Sequence, residues 1–212
     1  AAYDEMVNSW DDDDKAKGDR ITGDLVEKLI REAGIPKKFQ AAQFEKLDPA
    51  IQAEAQRECQ VFASLRGKMP DGKNSLLLLG PSGVGKTTLS VATLYAWVEL
   101  HKEPAAFVNC ARLSQQVREG FNSDDRTKRS GVLELAKYSL VVIDDLGREK
   151  PSDWVKEQFY VLLDTLYSEE VSVIFTSNLT SDQYAANIDE ALRSRLNEMV
   201  SPLKLVGEDL RK

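Results

Sequence analysis

Gly80-Pro81-Ser82-Gly83-Val84-Gly85-Lys86-Thr87-Thr88 is the stretch on which the reading of this chain turns. An apolar run at 76–79 precedes it and a helical pattern over 89–100 follows, giving the strand, glycine-rich turn and helix of a phosphate-binding loop. Backbone N–H groups can wrap a polyphosphate only where no side chain blocks their approach, and Gly80, Gly83 and Gly85 leave that access. Lys86 is placed to bring its ammonium to the outer phosphates, and Thr87 to offer its hydroxyl to Mg2+. The helix N-terminus adds partial positive charge. The plainer reading is a glycine turn joining a strand to a helix, and the flanking elements favour the nucleotide.

Downstream of the loop, residues 105–109 read as a strand and 113–118 as a helix. Two further runs, 140–143 and 171–175, are continuously apolar, as expected of parallel strands covered on both faces. Helical patterns at 154–167 and 188–197 and a last strand at 199–206 complete an alternation that specifies an α/β fold with a largely parallel sheet. Ligands of such sheets collect at the carboxyl ends of the strands. The first run ends in Asp144-Asp145 and the second in Thr176-Ser177-Asn178. Asp144 is therefore the candidate to hold Mg2+ beside Thr87, and Asp145 the candidate to polarise an attacking water. Asn178 carries both donor and acceptor for a γ-phosphate or that water. A cap or turn role is the alternative for all three, and the phosphate loop tips the balance.

Upstream, residues 1–19 hold seven acidic residues against two lysines and so carry most of the net charge of −7 over 212 residues. They read as an acidic flexible leader, and Asp11-Asp12-Asp13-Asp14-Lys15 within them is also the recognition sequence of a processing protease. A cloning remnant and a natural acidic linker both fit, and the start at Ala1 rather than methionine points to removal of something upstream. Residues 20–74 read as a helical linker region, with helices at 21–33 and 49–66, ahead of a nucleotide-binding core at 75–212. Between those helices Ile35, Pro36 and Phe39 either pack on the core or form a wall around an adenine ring. The near-neutral body leaves room for a local basic surface, and Arg126, Lys128 and Arg129 in a polar segment are the candidates for DNA contact. Two cysteines without paired spacing and a single histidine, His101, argue against a disulfide framework or a zinc site. No apolar run approaches the length of a membrane span, and a cytoplasmic protein is expected.

Taken in order, Ile35-Pro36 with Phe39 and Phe44, the 80–87 loop, Leu140 to Gly147, Thr176-Ser177-Asn178 and Leu192-Arg193-Ser194-Arg195-Leu196 resemble AAA+ ATPases of the DnaC/DnaI helicase-loader and IstB group. The resemblance covers about residues 35–211, and Asp-Asp-Leu-Gly with the Ser-Arg-Leu box makes it more specific than the phosphate loop alone. It implies a P-loop NTPase core with five mostly parallel strands flanked by helices, and the sequence is expected to depart from the group in two respects: a helical lid reduced or absent, and an N-terminal partner-binding domain absent or reduced to residues 1–34. It further implies ATP and Mg2+ as cofactors, a sensor-1 role for Asn178, an arginine finger at Arg195 and, more weakly, a sensor-2 role for Arg211. Such proteins assemble as ATP-dependent homo-oligomers and bind single-stranded DNA. A surface ion pair is the other reading of Arg195, with Arg193 the residue expected to hold that role instead.

The leading function from the sequence is ATP hydrolysis in DNA replication with a replicative helicase as partner. The rivals are an IstB-like transposition ATPase acting with a transposase and, from a different class, a small-molecule phosphotransferase built on the same loop. The second carboxylate, Asp145, favours hydrolysis, and no arginine-rich mobile lid or acceptor site for a phosphotransferase is legible.

Overall fold

Five parallel strands in the order β2-β3-β4-β1-β5 form the centre of the computed structural model, which describes residues 12–121, 133–147, 153–179 and 190–211. In chain order the elements are α1 (Asp12–Glu32), α2 (Ala53–Ser64), β1 (Ser75–Leu79), α3 (Lys86–His101), β2 (Ala105–Asn109), α4 (Cys110–Phe121), β3 (Leu140–Asp144), α5 (Asp153–Ser168), β4 (Ser172–Ser177), α6 (Glu190–Met199) and β5 (Val200–Lys204). Short 3-10 turns occupy Lys37–Phe39, Phe44–Lys46 and Leu133–Lys137. The expected α/β class with five parallel strands is what the molecule has.

Period-two alternation divides the sheet between two cores. Leu76, Leu78, Leu140, Val142 and Ile174 face Cys59, Phe62, Leu89, Leu94 and Trp97 on one side. Leu77, Leu79, Val141, Ile143, Val173 and Phe175 face Leu162, Leu163, Leu166, Leu196 and Met199 on the other. With both faces covered, β1, β3 and β4 are buried along their whole length, which is why their sequences are continuously apolar. Helix α3 lies between sheet and α2 and is apolar nearly all round. Its buried Ser90 and Thr93 donate to carbonyls of their own helix, at 2.9 and 2.8 Å, so neither is orphaned.

Helix α1 begins at Asp12, within the segment expected to be a flexible leader. The helix ends beside the sheet edge, where Ala33 O accepts the N–H of Phe107 at 2.7 Å. Helix α2 starts at Ala53, later than the apolar period suggests, because Gln52 takes a left-handed φ of 56°. His101 is the last residue of α3, with its ring edge-on to Trp97 and Nε2 2.7 Å from Ala63 O. Among the described residues no helix is long and apolar enough to cross a membrane.

Neither Cys59 nor Cys110 is in a disulfide. Cys59 has no exposed surface, and burial, partly opposed by a hydrogen bond with Thr93 and reinforced by Glu58, pushes its thiol up to about 12. The reactive thiolate is thus suppressed at any ordinary pH. Native protein at pH 9 is expected to leave Cys59 unlabelled by iodoacetamide, and unfolding to expose it, with peptide mass mapping as the readout.

Candidate functional site

Residues 80–85 turn back over the carboxyl end of β1 before α3 opens at Lys86. Lys86 is 6% exposed, and its Nζ donates to Gly80 O, Pro81 O and Asn178 Oδ1, each at 2.7 Å. Three oxygens around one ammonium compensate a charge that would be costly to bury alone. Burial still draws the Lys86 pKa below the usual lysine value, against the pull of Asp145 and Asp144.

Strand order decides what stands across from the loop. β4 lies between β1 and β3, so its carboxyl end separates the loop from the Asp144-Asp145 pair and must bridge them. Asn178 does so with both ends of its amide: Oδ1 accepts from Lys86, while Nδ2 donates to Asp145 Oδ1 at 2.6 Å. Thr176 forms the second bridge. Its hydroxyl donates to Asp144 Oδ1 at 2.7 Å and accepts the backbone N–H of Asp145 at 2.9 Å. The same Asp144 oxygen accepts from Thr87 Oγ1 at 2.8 Å. Lys86, Thr87, Asp144, Asp145 and Asn178, separated by up to 92 residues, thus form one hydrogen-bonded group. Thr176 escaped the sequence reading because a threonine ending a buried strand gives no signal of its own.

Thr87 Oγ1 and Asp144 present hard oxygen donors on neighbouring positions, and such a set fits Mg2+, which takes one or two protein oxygens and completes its shell with phosphate and water. Asp145 adopts a left-handed φ of 68°, a conformation aspartate tolerates better than most residues. The rest of the Asp-Asp-Leu-Gly sequence has a packing role. Leu146 is buried, its N–H donating to Thr176 O at 2.7 Å, and Gly147 has a φ of 82° with a Cβ there 2.6 Å from Leu179 Cδ1.

An apolar cleft opens beside the loop, lined by Leu47, Ile51, Val84, Leu89 and Leu210 with the polar Gln52 and Gln56. Ile35 and Phe39, expected at a base-binding wall, pack instead against Ala42, Val91 and Tyr95 farther along α3. The 3-10 turn after Pro36 directs them there, and the chain reaches the cleft only some ten residues later. Apolar spacing within 35–51 carries no signal that separates the two groups. The cleft's outer side is formed by the chain after β5. Leu210 N–H donates to Gly83 O at 3.0 Å, and Gln52 Nε2 to Val206 O at 2.6 Å.

Arg195 does not join this group. Its guanidinium pairs with Asp164 at 2.6 Å and Glu198 at 3.0 Å and lies 4.6 Å from the Tyr167 ring centroid. Arg195 therefore holds ion pairs of its own on this surface. Arg211 pairs with Asp209. Arg126, Lys128 and Arg129 lie outside the described residues.

Residues 3–208 match the model of the IstB-like ATP-binding protein family. Among solved structures, the DnaC helicase loader is 27% identical, with a TM-score of 0.71 over 81% of this chain and 100% of that one. DnaI is 22% identical, with a TM-score of 0.67 over 84% of this chain and 95% of that one. A replication initiator DnaA bound to AMPPCP and single-stranded DNA is 17% identical, with a TM-score of 0.63 over 82% of this chain and 52% of that one. No curated protein matches the sequence.

Thr176→Val keeps the shape of the side chain and removes the hydroxyl, leaving the Asp145 N–H without its acceptor. A loss of about 1–3 kcal/mol is expected in chemical denaturation. Thr176→Ser should recover most of it.

Proposed function

The chain belongs to the IstB-like ATP-binding protein family, and from that premise we propose that it is a Mg2+-dependent ATPase of helicase-loader type. In this reading it self-assembles on ATP and engages single-stranded DNA and a replicative helicase. The observation that carries the ATPase reading is the bridge from Lys86 through Asn178 to Asp145, which couples the phosphate side of the site to a carboxylate suited to orient water. The likeness to the DnaC helicase loader over its whole length supports the choice of partner, and the DnaA bound to single-stranded DNA supports the choice of nucleic acid at the level of fold.

When ATP enters, its phosphates compete with Gly80 O and Pro81 O for Lys86, exchanging neutral carbonyl partners for charged ones. Thr87 and Asp144 would hold Mg2+, which supplies neutralisation of charge on the phosphate oxygens. The base fits the Leu47, Ile51, Val84 and Leu89 cleft, whose apolar walls suit a flat ring. Asn178 donates to Asp145 Oδ1 and so fixes the carboxylate that, in this reading, orients the attacking water. Lys86→Ala is expected to abolish productive ATP binding while thermal unfolding shows an intact fold. Asp145→Asn, which also tolerates a left-handed φ, should keep nucleotide binding and lose hydrolysis in a phosphate-release assay; loss of binding instead would move Asp145 into the metal shell. Pull-down against a replicative helicase and a transposase decides the partner, and capture of the transposase alone would overturn the loader reading.

Arg195 enters this scheme at a contact between subunits. Its present partners, Asp164 and Glu198, are both about half exposed, so solvent weakens the pairs and a neighbour's phosphate can displace them. Arg195→Ala should bind ATP normally yet hydrolyse it on the order of a thousandfold more slowly. Mixed with Lys86→Ala subunits it should regain activity, because some interfaces then pair an intact site with an intact arginine. Mixed assemblies that form and stay inactive would show that Arg195 does not act in trans.

A further inference from the structure

The chain after β5 returns to the phosphate loop and sets a carboxylate against it. Gly83 has a φ of 86°, and a Cβ at this glycine would overlap the Asp209 carboxylate, so the two groups are in direct contact. Three hydrogen bonds from one residue hold that carboxylate: Arg211 N and Nε donate to Oδ1 at 3.0 and 2.9 Å, and Nη2 to Oδ2 at 2.8 Å. They keep Asp209 ionised down to about pH 2, since its pKa falls to about 2. Leu210, between the two residues, donates its N–H to Gly83 O at 3.0 Å and so keeps the pair at the loop. A fixed negative charge is the opposite of what an anion-binding loop requires. Its partner is also insecure, because the Arg211 side chain is 68% exposed.

We propose that Asp209 is an internal anion that opposes nucleotide phosphates at the loop, and that Arg211 sets how strongly it does so. The pair would limit nucleotide affinity and hasten release, while Leu210 between them holds the segment to the cleft. This inference rests on the nucleotide-binding reading of the site. The competing account makes Asp209 a local anchor for Arg211 and nothing more; its removal would then slacken the Leu210 contact and weaken binding.

Charge repulsion and slackening differ in their response to salt, because only the first is screened. Titration of the full chain with a fluorescent ATP analogue at about 50 mM and about 500 mM salt separates them. Asp209→Asn is expected to bind about fivefold more tightly at the lower salt and to lose most of that gain at the higher. Arg211→Gln, which leaves Asp209 unneutralised, should bind more weakly at low salt and recover at high salt. The double variant should lie near Asp209→Asn. Equal or weaker binding by Asp209→Asn, or a gain that salt does not touch, overturns the proposal. If Asp209→Asn fails to fold, Arg211→Gln decides alone, and unchanged binding there overturns it. Failure of the underlying reading has a different signature: wild type and Lys86→Ala would both leave the analogue unbound.

Discussion

The Lys86 ammonium is the charge around which the site is built. Charge buried away from water is tolerated only with partners, and here the partners come from the loop and from the end of a strand nearly a hundred residues away. Lys86 therefore ties the local geometry of a glycine turn to the global order of the sheet. Any strand order that did not set β4 beside β1 would leave Asn178 out of reach and the ammonium short of an acceptor.

The sheet supplies the rigidity this arrangement needs. Side chains alternate into two packed cores, and the strand ends inherit their positions from residues with no freedom to move. Helix α3 serves both purposes at once. Its first residues carry Lys86 and Thr87, while its later ones, Leu94, Trp97 and Val98, are locked between sheet and α2. A functional side chain on such an element is held more narrowly than one on a loop.

Peripheral parts are held differently. Arg195 is fixed by half-exposed acids and a ring face, and the 206–211 segment by a backbone bond from Leu210 to Gly83 and the Gln52 side chain at Val206 O. Interactions of this strength yield to a competing charge, whereas the Thr87–Asp144–Thr176 set, partly or wholly buried, does not yield without leaving polar groups unsatisfied. The proposed responses to nucleotide and to a neighbouring subunit are accordingly assigned to the periphery, and the chemistry to the centre.

By itself the sequence determined the class of fold and the identity of the central residues. Glycine spacing before Lys86-Thr87 announces a phosphate loop, and continuous apolar runs ending in Asp144-Asp145 and Thr176-Ser177-Asn178 announce buried parallel strands with polar ends, because both signals are local. Tertiary structure alone decided which groups meet. Thr176 became a bridge because β4 lies next to β3, Leu47 and Ile51 rather than Ile35 and Phe39 came to line the cleft because a 3-10 turn intervenes, and Asp209 reached Gly83 because β5 pairs with β1. Residues far apart in sequence leave no spacing to read, and their contact is fixed by strand order and packing.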